Sequence, residues 1–248
     1  MAMSEHHAEL CTPLAWDSAF WGFPVARLND SRLTHESLRR ALAWAAQQKT
    51  RCLYFAADGS DGETLRLATE GGFRFVNVRM DMEKHLSGNI VCESTAPGIR
   101  ISRTTDLAVL QDIARYSHED TRFFKDGSFD RARAAELYAK WIERDAREHV
   151  ILVFTMPDNA KSVVGYVTCQ LEAPGKGRIG LIAVAREARE KGLGCELVKA
   201  ALGWFGDKSI ATVCVATQAC NVPALRLYES AGFKARETRV WFHWWSPT

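Results

Sequence analysis

The sequence predicts an α/β protein built around a mixed sheet, and three observations carry that prediction. From Ile99 onward, segments with a two-residue apolar period alternate with segments of helical period. Three strand-like runs follow one another directly, separated only by turn residues, which is the pattern of a meander. A β-α-β unit near the C-terminus also has a second copy near the N-terminus. The element order expected from Ile99 is βααβββαβαββ.

Each element has a local reason. Ile99 to Arg103 alternates as a short strand, and Thr105-Asp106 is an N-cap for a helix through Leu107, Leu110, Ile113 and Ala114. A second helix, Phe129 to about Arg147, places Ala134, Leu137, Tyr138, Trp141 and Ile142 on one face. The meander is Val150 to Met156, Val163 to Leu171 and Arg178 to Val184, with turns at Pro157-Asp158-Asn159 and Ala173-Pro174-Gly175. From Leu193 the spacing of Leu197, Ala201, Trp204 and Phe205 is helical; Ala211 to Thr217 is a strand, Val222 to Ala231 a helix, and Phe233 to Trp245 returns to strand.

The stretch Leu86 to Gly98 is rich in Ser, Gly, Thr and Pro and reads as a linker, which divides the chain into residues 1–88 and 99–248. The repeat spans that boundary. The run from Leu53, LYFAADGSDGETLRLATEGGFRFVNVRMD, aligns without gaps on the run from Val213, and Leu65/Leu225, Arg66/Arg226, Gly72/Gly232 and Phe73/Phe233 coincide. Ala68 falls where the second copy has Tyr228, so any chemistry at Tyr228 is missing from the first copy.

Composition limits the functions open to the chain. Its 248 residues are enough to bury roughly 70% of the unfolded surface without staples. With 32 basic and 30 acidic side chains and no block of like charge, there is no nucleic-acid footprint. No window has the apolar length of a membrane span, and the start, MAMSEHHAEL, lacks the features of a signal peptide, so the expectation is a cytoplasmic protein. The seven cysteines are never spaced as CxxC and read mostly as small buried hydrophobes; with the histidines scattered apart from His6 and His7, no metal is expected.

The chemistry concentrates in IGLIAVAREAREKGLGCELVKAALGWFG. Here a strand enters a charged turn, and Gly192 and Gly194 then open an amphipathic helix whose first amides lack intrahelical partners, a place to hold a pyrophosphate. This turn is neither the GxGxxG fingerprint nor a GxxxxGK[ST] loop, because the third Gly and the Lys-Ser/Thr pair are missing from it. The turn Arg189-x-x-Gly192-x-Gly194, followed after one helix and one strand by NVPALRLYESAGF, resembles the acetyl-CoA signature of the GNAT superfamily of N-acetyltransferases. The pieces LAWDSAFWGFPVARL, TRF, LYAKWIE, RIGLIAV and VATQACNVPALRLYESAG are similar to the TDP-fucosamine acetyltransferase family, over nearly the whole chain.

The resemblance implies a GNAT fold: a mixed, mostly antiparallel central sheet flanked by helices, with a truncated GNAT-like N-terminal domain. It implies acetyl-CoA as co-substrate and the amine of a nucleotide-linked amino-deoxy sugar as acceptor. Tyr228 would protonate the departing thiolate. Ile182, Ala183 and Val184 would contact the pantetheine arm through their main chain. Arg189, Glu190, Lys191, Leu193 and the two glycines would hold the pyrophosphate mainly through amides. Asn221 caps the next helix, bonds the cofactor arm, or does both.

For the acceptor, Arg122 is expected to hold a diphosphate and Phe123 to stack a base or sugar. The family's acidic general base aligns with Asn77, which cannot accept a proton usefully. That leaves water, or His118, Glu119, Asp120 or Glu172, or a different substrate. Two other readings stay open: acetyl transfer to another small amine, such as an antibiotic or polyamine, and a non-catalytic module that binds acyl-CoA. The Trp-rich end, VWFHWW, either closes the sheet or forms the edge of a homodimer.

Overall fold

The computed structural model describes residues 9–86, 97–156 and 159–247, with the side chains of 159–161 excepted. The linker predicted after Leu86, much of the Pro157 turn, His6, His7 and Cys92 lie outside the described residues. Two compact units are present, Met1–Arg79 with Thr238–Thr248, and Met80–Glu237. They are not the two sequence halves, because two twelve-residue strands, Arg74–His85 and Lys234–Trp245, each begin in one unit and end in the other.

The first unit runs β1 (Cys11–Pro13), α1 (Ala15–Trp21), β2 (Val25–Leu28), α2 (His35–Gln47), β3 (Cys52–Asp58), α3 (Gly62–Glu70) and the start of β4 (Arg74–His85). Helix α2 starts at Thr34, whose hydroxyl accepts from the Ser37 amide while the Ser37 hydroxyl takes the Thr34 amide. Its Leu38, Ala41 and Ala45 pack with Leu53, Phe55 and Ala57 of β3 and with Phe73 in one buried cluster. Burial of side chains the size of Leu and Phe stabilises by about 1.5–3 kcal/mol each.

The second unit contains β5 (Ile99–Ile101), α4 (Leu107–Arg115), α5 (Arg122–Lys125), α6 (Arg131–Glu148), β6 (Val150–Met156), β7 (Asn159–Ala173), β8 (Lys176–Val184), α7 (Leu193–Asp207), β9 (Thr212–Gln218) and α8 (Val222–Ser230), and β10 (Lys234–Trp245) starts there. Its sheet order is β4-β9-β8-β7-β6-β5. The β5–β6, β6–β7 and β7–β8 pairs are antiparallel and the β8–β9 pair is parallel, giving the mixed, mostly antiparallel sheet. Leu197, Val198, Ala201, Leu202 and Phe205 of α7 are buried, and Gly177 of β8 lies where a Cβ would run into the Phe205 ring.

Three expectations change. The chain ends in one strand rather than two: β10 has no Gly, Pro, Asn or Asp within it to turn the chain. This strand is not a sheet edge. Arg239 to Trp245 pair with β3, and β4 follows on the other side, so the dimer-edge reading of VWFHWW falls away. Asp106 does not cap α4 with its side chain; it accepts from the Arg103 amide at 2.7 Å and from both Arg100 guanidinium nitrogens, which holds its carboxyl below the usual range. Among the described cysteines, Cys11, Cys52 and Cys169 are buried, while Cys195 and Cys214 are partly exposed and Cys220 is exposed.

The repeat is visible in the fold. Elements β3, α3 and β4 have the same lengths as β9, α8 and β10, at a constant displacement of 160 positions. Both helices end in the same way. Gly72 and Gly232 take φ of +79° and +86°, and the amides of Phe73 and Phe233 return to the carbonyls of Ala68 and Tyr228. Ala68 and Tyr228 are both buried, so the copies differ at that position in what they present and not in how they fold.

Candidate active site

The site is built where two parallel strands part. Strands β8 and β9 are paired only from Lys176–Thr212 to Ile179–Val215. Just beyond, β8 bulges: Gly180 and Leu181 stand opposite the single residue Thr168 of β7. The buried Thr168 hydroxyl accepts the Leu181 amide at 2.8 Å and lies 2.6 Å from where a Gly180 Cβ would sit. The bulge therefore uses a glycine at 180 and a hydroxyl at 168 together, and β8–β9 pairing stops just before it.

Strand alternation sorts the main-chain groups. The Leu181 amide goes to Thr168 and the Ala185 amide to the Val164 carbonyl, both on β7. Ile182 and Val184 then face their main chain into the gap, as the sequence expectation requires. Ala183 does not. It lies opposite Tyr166 with its main chain toward β7, so its predicted contact with the cofactor arm has no amide left to make it.

The glycine turn follows. Gly192 is the N-cap of α7 at φ +76°, and Glu190 takes φ +64°, a conformation that costs a non-glycine residue about 1–2 kcal/mol. The first hydrogen bonds of the helix run from Cys195 and Glu196 to the Gly192 carbonyl, so the Leu193 and Gly194 amides have no intrahelical acceptor. Nothing stands within 4 Å of where a Gly192 Cβ would be; the surface there is open to a ligand. Arg189 donates Nε to the Val184 carbonyl at 3.0 Å, and the Lys191 ammonium reaches the Glu187 carbonyl at 3.4 Å. These contacts tie the two cations to the carbonyls of Val184 and Glu187, and the first amides of α7 are left for an anion.

Helix α8 brings Tyr228 and Asn221. The Asn221 Oδ1 accepts from the Ala224 amide at 3.1 Å, the cap that the sequence suggests, and its Nδ2 stays available. Tyr228 is 2% exposed, edge-on to Phe233, and lines a cavity of about 200 Å3. Burial pushes its hydroxyl above the usual tyrosine range, so it remains a donor throughout the physiological pH range.

The same cavity is lined by Gly180, Leu181 and Ile182 of β8, by Thr217 and Gln218 of β9, and by Ser117, His118, Thr121, Tyr138 and Trp141. His118 stacks on Tyr138, with ring centroids 4.7 Å apart, and its Nε2 lies 3.1 Å from the Tyr166 hydroxyl. Burial first, and then the charge of Arg189, lowers its pKa to about 4. Tyr138 is pushed up to about 12, chiefly by burial. Sequence reasoning singled out His118 only as one candidate base among four; its tie to Tyr166 joins residues 48 positions apart and left no local signal.

The other expected acceptor residues fare differently. Phe123 is 2% exposed and packs edge-on to Phe129 and Trp141, with the Arg122 guanidinium 4.5 Å from its ring centre. No face of it remains to stack a base. Asn77 belongs to the first unit, on β4, buried and with no partner for its Oδ1 among the described residues. Among the candidate bases, Glu172 is bound by Arg178, Glu119 is exposed 3.9 Å from Arg131, and Asp120 is exposed. Among the described residues lining the Tyr228 cavity there is no carboxylate.

Parting parallel strands, a glycine turn opening a helix and a tyrosine in the gap give this α/β protein a site with the form of an extended ligand and a place for an anion at one end. Residues 111–233 match the Acetyltransferase (GNAT) family, and the chain carries a GNAT acetyltransferase domain. It is an N-acetyltransferase.

The chain is 28% identical, over 93% of its length and 96% of the relative's, to the dTDP-fucosamine acetyltransferase of Escherichia coli O6:H1. It is 27% identical to the mycothiol acetyltransferase of Stackebrandtia nassauensis, over 80% of this chain and 65% of that one. It is also 26% identical to the spore coat polysaccharide biosynthesis protein SpsD of Bacillus subtilis, over 56% and 48%. In fold it is similar to a GCN5-related N-acetyltransferase from Sphaerobacter thermophilus, with a TM-score of 0.65 over 94% of this chain and 75% of that one, at 18% identity. No helix among the described residues is long and apolar enough to cross a membrane.

Proposed function

We propose that the enzyme transfers the acetyl group of acetyl-CoA to the amine of a nucleotide-linked amino-deoxy sugar. The observation that carries this reading is the parting of β8 and β9 beside both the Gly192 turn and Tyr228, because one extended ligand then reaches all three. The pyrophosphate rests on the amides of Glu190 to Gly194, aligned with the positive end of α7, and the pantetheine arm pairs with Ile182 and with the Val184 amide, the Val184 carbonyl being held by Arg189. Asn221 Nδ2 adds a donor to the arm. The sugar class is supported by the full-length similarity to an enzyme named for dTDP-fucosamine.

In the reaction the neutral amine attacks the thioester carbonyl carbon, and the carbonyl oxygen gathers charge near the Ile182 amide. The C–S bond then breaks as Tyr228 donates its hydroxyl hydrogen to the departing sulfur. The proton lost by the nitrogen passes to water, which restores Tyr228, so the products are the amide and free CoA thiol. With no carboxylate among the described residues lining the cavity, the amine arrives unprotonated or sheds its proton to water.

The repeated β-α-β unit fits a duplicated GNAT half that kept its fold and, with Ala68, lost the donor. The test is release of free thiol from acetyl-CoA with TDP- and UDP-linked 4-amino-4,6-dideoxyhexoses. Release that depends on the amino sugar supports the reading. Release with simple polyamines and not with nucleotide sugars moves the enzyme to another amine.

A further inference from the structure

The wall of the Tyr228 cavity formed by the turn after α4 and by α6 contains a pair that neither the cofactor nor the transfer step uses. His118 enters the cavity from that turn, and Tyr166 lies behind it on β7, wholly buried. One hydrogen bond joins His118 Nε2 and the Tyr166 hydroxyl, 3.1 Å apart. Among the described residues that hydroxyl has no other partner.

This fixes the direction of the bond. A phenol hydroxyl has one hydrogen to place, and leaving it unpaired in a buried site costs as much as losing a hydrogen bond. The Tyr166 hydroxyl therefore donates, and Nε2 accepts. An accepting Nε2 has no hydrogen, so the neutral ring carries its proton on Nδ1, the nitrogen that Tyr166 does not take. Protonating the ring would put a hydrogen on Nε2 and orphan the phenol, and Arg189, the charge that acts on the ring, opposes it as well.

We infer that His118 is a hydrogen-bond donor for the acetyl acceptor: its Nδ1–H holds an oxygen one carbon away from the reacting amine, and Tyr166 positions it by fixing the tautomer. This rests on the acetyl-transfer reading and narrows its substrate to vicinal amino alcohols. The cofactor side of the cavity already has its donors, in the Ile182 amide, Asn221 and Tyr228. A donor on the α4–α6 wall is left for the acceptor, and since it offers a hydrogen rather than a lone pair, its partner is an oxygen. Among 4-amino-4,6-dideoxyhexoses the 3-hydroxyl stands in that position. It also follows that His118 does not take the proton from the amine.

Two measurements test this. The 15N–1H spectrum of His118 shows the Nδ1–H tautomer in the wild type and a mixture in Tyr166→Phe; an Nε2–H tautomer in the wild type overturns the inference without any turnover being needed. In kinetics, His118→Phe raises KM about fivefold for a dTDP-4-amino-4,6-dideoxyhexose, the value of about one hydrogen bond, leaves kcat within a few-fold, and leaves KM for the 3-deoxy analogue unchanged. His118→Gln, which keeps an N–H, recovers part of the loss. Equal losses on both acceptors overturn the acceptor contact. If the wild type acetylates neither sugar, the acetyl-transfer reading fails at that point, and the acceptor contact with it, while the tautomer is still read from the spectrum.

Discussion

Replacing Thr168 by Val tests the bulge on which the site depends. Valine keeps the volume of this fully buried side chain and removes only the hydroxyl that accepts the Leu181 amide at 2.8 Å. Leaving that amide without a partner costs about 1–3 kcal/mol, because its water was given up on folding. For a chain of this size each kcal/mol moves the melting midpoint by about 2–4 °C, so the expected fall is about 2–12 °C. The bulge also aims the Ile182 amide into the gap; its relaxation should weaken acetyl-CoA binding by about the value of one hydrogen bond, roughly fivefold. Thr168→Ser, which keeps the hydroxyl, should bind acetyl-CoA like the wild type. The assays are thermal melting and calorimetric titration. A Val variant that melts and binds as the wild type does would show that the hydroxyl does not set the path of β8.

Three further outcomes are expected. Tyr228→Phe should lose turnover by about a hundredfold or more in steady-state thiol release, with acetyl-CoA affinity unchanged, since the hydroxyl acts on sulfur mainly as the C–S bond breaks; unchanged turnover would remove Tyr228 from the chemistry. Gly180→Ala should destabilise the fold and weaken acetyl-CoA binding together in the same melting and titration assays, because its methyl would press on Thr168 and Gln170. His118 binds its proton at about pH 4 when folded and near 6.5 when unfolded, so its contribution is whole above pH 6.5 and is lost as pH falls toward 4. The loss is at most about 3 kcal/mol; urea midpoints at pH 7.5 and 4.5 should fall less in His118→Phe than in the wild type, and equal falls would contradict the lowered value.

Much of this architecture was legible in the sequence, for reasons that can be named. The meander, α7 and the final β-α-β unit have strong periodicity and clear punctuation: Gly192 opens one helix, Asn221 and Pro223 open another, and Gly232 closes it. The repeat was legible as well, since a β-α-β unit closed by a left-handed glycine keeps its spacing. The elements missed were short or buried by tertiary contacts. Helix α5 is four residues long, and α1 begins at Leu14 with no side-chain cap.

The site divided along a similar line. The Gly192 turn and Tyr228 are local motifs, whereas the gap depends on a bulge set by Thr168 and Gly180, residues that look ordinary in isolation. Phe123 beside Arg122 suggested a stacking platform, but the sequence does not contain the three-dimensional fact that Phe129 and Trp141 cover it. Ala183 shared a motif with Ile182 and Val184 and was separated from them only by the direction of its amide.

The central claim is that acetyl-CoA lies along β8 with its pyrophosphate on the Gly192 turn. Calorimetric titration of acetyl-CoA into the wild type and into Gly192→Asp tests it most directly, because a Cβ there meets no protein atom within 4 Å and the added carboxylate repels the phosphates; the strain of a side chain at φ +76° is read separately from the variant's melting midpoint. The account predicts saturable binding to the wild type, with NAD and ATP giving none, and affinity at least tenfold weaker in the variant. Equal affinity in the two proteins would place the pyrophosphate elsewhere and contradict the account.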